Sequence, residues 1–167
     1  MRSLLDHAAQ RSAMLLMLIA GAAITLMMLQ VTADVAGKYL FRQPVPATFE
    51  MVEDYYMLML VFLPFAYVAR TERHIFVELF TSKLSPRALA ALEAAVGLLT
   101  LAWVVLLAWY SGEEAVAMTV ERELREISGG YLFIWPARWA VPLGCAAMAL
   151  VVLNQLLKDF NAAIWRR

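Results

Sequence analysis

The stretch "DVAGKYLFRQPVPATFEMVED", residues 34–54, lies between two apolar blocks, each long enough to cross a bilayer. Asp34 closes the first block, and Glu50, Glu53 and Asp54 open the second. A charge beside hydrocarbon is costly. The carboxylates must therefore be satisfied by one another's counter-ions, by a helix terminus or by a partner. The segment reads as the water-exposed turn of a helical hairpin, made stiff by Pro44 and Pro46.

Working outward, two further apolar blocks follow. The chain has 167 residues, of which 63% are hydrophobic and 17% charged, with a mean hydropathy of +0.68. Soluble domains carry about 25% charged residues. The composition is that of an integral membrane protein. Blocks at about 12–35, 49–69, 86–110 and 131–157 consume nearly the whole length, so a single four-helix membrane domain over residues 1–167 is expected. Helices are required because a segment in lipid must satisfy its backbone internally, and barrel-type alternation is missing. Ser85 and Pro86 form an N-cap and first helical position for the third block, and Pro64 and Pro142 are expected to kink the second and fourth.

Formal charge is zero, with 14 basic and 14 acidic residues, so there is no basic face of the kind nucleic-acid binding needs. Placement matters more than balance. Arg2 and Arg11, then Arg70, Arg73, Lys83 and Arg87, then Lys158, Arg166 and Arg167 fall on one side of the four-span frame. On the other side Lys38, Arg42, Arg122 and Arg125 are accompanied by Glu113, Glu114, Glu121, Glu123 and Glu126. The positive-inside rule then puts both termini in the cytoplasm. Arg2 and Arg11 ahead of the run from Met14 to Leu29 resemble the opening of a signal peptide, but the run is long for that purpose and no small-x-small site closes it. A retained first span is expected.

Within "RTERHIFVELFTSKLS", residues 70–85, Ile75, Phe76, Leu79 and Phe80 recur at helical spacing, which fits a short interfacial helix between helices 2 and 3. His74 and Glu78 would lie one turn apart on it. Gln30, Asp34 and Gly37 share a polar face at the end of the first helix, and Glu93, Gly97 and Thr100 form a similar stripe early in the third. For the charges of the hairpin the bland reading is an ion cluster that fixes two helix ends; the alternatives are a contact with a partner subunit or an acid on an ion pathway. Carboxylates in the first turn of the second helix are also favoured by its dipole.

Other chemistries find little support. His7 and His74 do not suit a haem held between facing helices. Cys145 is the one cysteine, which excludes an internal disulfide and reads as packing. No metalloprotease pair, phosphate loop or nucleophile elbow occurs, so an enzyme is not expected. The internal duplication and broken helices of a complete secondary transporter are also missing. The chain reads as one part of a larger machine.

The order "DVAGKYLFRQPVPATFE", then "VFLPFAYVARTERHIFVELF", then "GGYLFIWPARWAVPLG" resembles the small membrane subunit of tripartite ATP-independent periplasmic (TRAP) transporters, the DctQ type. The resemblance rests on Asp34, on Lys38 with Tyr39 and Phe41, and on Pro44 and Glu50. It continues through His74, Ile75, Val77 and Glu78, then Trp135 to Arg138 and Pro142 to Gly144. Lys38 stands where the family usually has Arg, and Glu78 where Asp is common. The resemblance implies a scaffold beside a large multi-spanning membrane subunit that carries the substrate and sodium sites. It also implies delivery of a small organic acid by a periplasmic substrate-binding protein, with uptake driven by an ion gradient. On it, no cofactor or metal is expected in this chain; sodium ions belong to the large subunit. Asp34, Lys38, Arg42, Glu50, His74, Glu78 and Arg138 become candidates for fixing helix ends or the subunit interface. The acidic connection from Glu113 to Glu126 would face the periplasm. The other expected partners are membrane lipids; nucleic acid is not one. The rival from another class is a self-contained homo-oligomeric exporter with Asp34 or Glu50 as its coupling acid.

Overall fold

The computed structural model describes residues 2–71, 86–127 and 130–165. His74, Glu78 and the amphipathic stretch around them lie outside the described residues. Helix α1 spans Arg2–Ala36 and ends in a π-helical turn, Gly37–Phe41. A six-residue connection leads to the second span, composed of α2 (Thr48–Met51), a π-helical turn (Val52–Tyr56), α3 (Met57–Phe62) and α4 (Phe65–Thr71). Helix α5 covers Pro86–Glu121. Strands β1 (Leu124–Ile127) and β2 (Gly130–Phe133) form an antiparallel hairpin. The fourth span opens with α6 (Trp135–Arg138) and continues as α7 (Ala140–Trp165).

Among the described residues, four segments are long and apolar enough to cross a membrane: Ala9–Phe41, Thr48–Thr71, Ala91–Glu121 and Trp135–Lys158. The expected all-α frame of four spans is therefore present. Its surface is inverted relative to a soluble bundle, with Leu15, Leu18, Leu26, Met28 and Leu29 of α1 all more than half exposed. The inward face of α1 consists of Ala9, Ala13, Ala20 and Ala23, spaced at whole turns. Lipid tails are as apolar as leucine, so helices in a bilayer gain most from small residues that let backbones approach. Ala9 and Ala13 meet Ala66, Ala147 and Val151; Ala20 meets Leu63 and Ala140.

Helix α7 is the hub. It packs against α5, α4, α1 and α3, whereas α5 rests mainly on α7 and α6. The closest approach is at Gly144, where even a methyl group would overlap the Phe62 carbonyl oxygen. That carbonyl sits at the break between α3 and α4, next to Pro64, whose ring cannot donate to the helix ladder. The expected interruption at Pro64 is thus present, and Leu63 and Tyr67 close around it through bonds to Met59 and Pro64 carbonyls at 3.2 and 2.9 Å. Pro142 acts one turn upstream of itself. Its ring crowds the carbonyl four residues earlier, and the break falls at Trp139 between α6 and α7. Pro142 itself sits in the first turn of α7, where no N–H is needed.

Two boundaries differ from the expectation. The third helix does not stop near residue 110 but runs to Glu121, and Leu124–Ile127 and Gly130–Phe133 are paired strands rather than loop and helix start. Hydropathy marks where a helix leaves hydrocarbon, not where it ends. With 36 residues at about 1.5 Å each, α5 is about 54 Å long, well beyond the roughly 30 Å hydrocarbon layer. Ser111, Glu113 and Glu114 continue it into water; the Ser111 hydroxyl bonds back to the Leu107 carbonyl at 2.5 Å.

Candidate functional site

The water-exposed end that gathers the hairpin turn, the last turns of α5, the β-hairpin and α6 is where the polar side chains of four elements meet. It builds from the first connection outward. Val45 carries the one backbone N–H of the Pro44–Pro46 run, and it donates to Asp34 Oδ1 at 2.8 Å. Asp34 therefore closes its own loop. Gly37 permits the tight return: a β-carbon there would lie 2.7 Å from the Gln43 carbonyl oxygen, and the Gln43 N–H reaches the Gly37 carbonyl at 3.2 Å. Arg42 (φ 52°) and Ala47 (φ 61°) adopt left-handed conformations at the two ends of the turn. Thr48 is the one buried polar residue among those described, its hydroxyl donating to the Val45 carbonyl at 3.1 Å.

The second span then presents a π-helical turn, which widens the helix and spreads consecutive side chains. Asp54, Tyr55 and Tyr56 use this spread to reach three different elements. Asp54 Oδ2 receives Arg125 Nη1 of β1 at 2.6 Å, with Glu53 Oε2 3.3 Å from the same nitrogen. The Tyr55 hydroxyl donates to the Phe133 carbonyl of β2. The Tyr56 hydroxyl donates to Gln30 Oε1 of α1 at 2.8 Å. The hydrogen bond to Asp54, reinforced by the charges of Asp54, Glu53 and Glu50, raises the Arg125 guanidinium above even the usual arginine value. It is a permanent cation.

The β-hairpin is registered by Leu124 opposite Phe133, Arg125 opposite Leu132, and Glu126 opposite Tyr131. Arg125, Ile127, Gly130 and Leu132 lie on its half-buried face, while Leu124, Glu126, Tyr131 and Phe133 are exposed. Its base is closed by the Ile134 N–H to the Glu123 carbonyl at 3.1 Å. The Glu123 side chain takes two bonds from Arg138 of α6, at 3.0 and 3.1 Å, the fork geometry suited to guanidinium and carboxylate. Beside it, Trp139 Nε1 donates to Thr119 Oγ1 at 3.0 Å. Two arginines thus clamp the hairpin, one to the second span and one to the fourth.

The sequence candidates divide accordingly. Asp34 and Arg138 bond within the cluster. Glu50 is half-buried in the first turn of α2 and acts on Arg125 through its charge. Lys38 and Arg42 are exposed and take part in no ion pair among the described residues, so Asp34 is not their partner in this chain. Arg125, Glu123, Tyr55 and Tyr56 were missed. A signal for the hairpin was present in "LREISGGYLF", two short period-two runs around a Ser-Gly-Gly turn.

A second polar group lies at the opposite end of the bundle. Asp6 of α1 receives Asn154 Nδ2 of α7 at 2.5 Å and pairs with Lys158. These bonds hold the Asp6 carboxyl below its usual value, the Lys158 contact contributing most. The chain's two terminal helices therefore meet at one end, as an even number of spans requires. Between the two polar ends the described core is alanine, valine and leucine with Gly144 and Cys145, small groups that offer packing, so the chemistry on offer is cohesion and recognition at the ends.

A family model described as "Tripartite ATP-independent periplasmic transporters, DctQ component" matches residues 27–162, from the last turns of α1 through the second span and the β-hairpin to most of the hub helix. Among curated proteins, none matches the chain.

Proposed function

The chain belongs to the DctQ family, the small membrane component of tripartite ATP-independent periplasmic transporters, and on that premise we propose that it is a scaffold for a large membrane subunit in ion-gradient-driven uptake. The family is a transporter component rather than an enzyme family. Four apolar spans make the chain a multi-pass membrane protein.

The observation that carries the scaffold reading is how the charges are spent. Asp34, Asp54, Glu53, Glu123, Arg125 and Arg138 are engaged in holding helix ends and hairpin together. A coupling acid must be free to change partners during transport; these groups are committed to structure. Lys38 and Arg42 are different. They stand exposed beside Tyr39, Leu40 and Phe41, which are at least 75% exposed, a cationic and aromatic edge of the kind a neighbouring subunit engages. In this reading the large subunit holds the sodium and substrate sites, a periplasmic binding protein delivers a small organic acid, and the hairpin end faces the periplasm. The excess of Lys and Arg at the other end supports cytoplasmic termini.

The test is purification of the chain from its native membrane in mild detergent with identification of what remains bound. A stoichiometric, larger multi-spanning partner supports the reading, and Glu50→Ala should lower the yield of that complex while leaving substrate selectivity unchanged. A homo-oligomer that alone supports proton-coupled efflux would overturn it in favour of the exporter.

A further inference from the structure

At the end of the bundle where the terminal helices meet, α1, α4 and α7 enclose a cavity of about 230 Å³ lined by Asp6, Gln10, Arg70, Asn154, Gln155 and Lys158 over a floor of Ala9 and Val151. That is several times the roughly 30 Å³ occupied by one water in the liquid. The Gln155 side-chain amide donates to the Ala69 carbonyl at 3.3 Å and fixes one wall. Asp6 neutralises Lys158. Arg70, exposed on the last turn of α4, takes part in no hydrogen bond or ion pair among the described residues. The lining therefore has two cations, Arg70 and Lys158, against one anion, with three side-chain amides around them.

Depth decides what such a cavity meets. Ala9 and Lys158 are the terminal residues of the first and fourth spans, and Arg70 is one residue from the end of the second. The lining gathers charged and amide side chains at one end of these apolar spans, as expected where a bundle meets lipid headgroups. The cavity floor is apolar, continuous with the alanine seam that runs down the bundle. A group with an anionic, acceptor-rich head and an apolar tail matches both the donors and the floor; phosphate is the headgroup anion that guanidinium recognises best. We propose that this cavity binds the phosphate of a membrane lipid headgroup, held by Arg70 and by Lys158, with Gln10 and Asn154 as neutral donors. The site lies at the far end from the hairpin cluster and does not depend on the transporter reading. It would tie α1, α4 and α7 together on one lipid.

The experiment uses the full chain in mild detergent, titrated with dihexanoylphosphatidylglycerol, with dihexanoylglycerol, which lacks the phosphate, and with inorganic phosphate, and read by thermal shift and by native mass spectrometry of the bound adduct. The expected result is one bound phosphatidylglycerol, no comparable effect of dihexanoylglycerol or inorganic phosphate, and about tenfold weaker binding for Arg70→Gln. Asp6→Asn, which removes the competing anion, should tighten binding. Equal binding by Arg70→Gln, or unchanged or weaker binding by Asp6→Asn, would overturn the proposal. So would equal stabilisation by dihexanoylglycerol, which means acyl contact alone, or by inorganic phosphate, which means an aqueous anion site.

Discussion

Arg125 Nη1 lies 2.6 Å from Asp54 Oδ2, across 71 positions of sequence, and this bond fastens the β-hairpin to the first turns of the second span. The two side chains are 39% and 17% exposed, so solvent screens the pair only in part. A charge-assisted hydrogen bond contributes about 1.5–3 kcal/mol when sheltered, and an exposed ion pair less than about 1 kcal/mol. Arg125→Gln should therefore lower the melting temperature. Thermal unfolding in detergent would measure it. The partner variant Asp54→Asn should cost a similar amount, and the double variant little more than either alone, because the pair is removed once. Strict additivity would show that the two side chains act independently.

Gly144 meets the Phe62 carbonyl so closely that no side chain fits between them. Gly144→Val must separate α7 from the break in the second span, and overpacking of this kind costs about 1–3 kcal/mol. The control is Gly21→Val, since Gly21 is exposed with open space around it. Loss of folded yield for position 144 and not for position 21 is the expected outcome. Equal tolerance would mean that the helices do not meet at Gly144.

The pairing of Asp6 with Lys158 carries a defined pH dependence. The folded Asp6 carboxyl titrates below its ordinary value of 3.8 because Lys158 and Asn154 stabilise the carboxylate. A depressed acid contributes stability that is complete above the unfolded value and lost as pH falls through the folded one. The stability difference between wild type and Asp6→Asn should thus stay level from about pH 8 to pH 5 and shrink only in more acidic solution. Melting temperature against pH for the two proteins tests this. A difference that vanishes near neutrality would assign the pairing to another group.

Topology can be read chemically, since Cys145, the one cysteine, is buried in α7. In a Cys145→Ser background, Glu126→Cys places a thiol on the exposed face of the β-hairpin. It should react with an impermeant maleimide added to intact spheroplasts, whereas His7→Cys, on the exposed surface of α1 at the other end, should react only after permeabilisation. The reverse pattern would invert the orientation.

The four spans were legible because hydropathy reports a property of each residue in isolation, its preference for lipid over water. Asp34 and Glu50 at a helix–helix turn, and the break at Pro64, were legible for the same reason: local chemistry dictates them. The end of α5 at Glu121 was not, because a helix that has left the membrane carries no hydropathic mark. Arg125 illustrates what lay further out of reach. In the sequence it is one cation outnumbered in an acidic run; its partner is Asp54, 71 positions away in the second span. The same holds for Arg138 with Glu123, and for Asp6 with Asn154 and Lys158 at opposite ends of the chain.

By itself the sequence determined a four-helix membrane protein with a charged hairpin turn, and its residues carried the resemblance to one transporter component. Only the tertiary structure decided which charges face one another, that the fourth helix is the hub, and that a β-hairpin is clamped at one end and a donor-lined cavity enclosed at the other. The physical reason is range. Burial preference and helix termination act within a few residues, whereas a salt bridge depends on where two backbones stand, and that is settled by how alanine and glycine faces allow distant helices to meet.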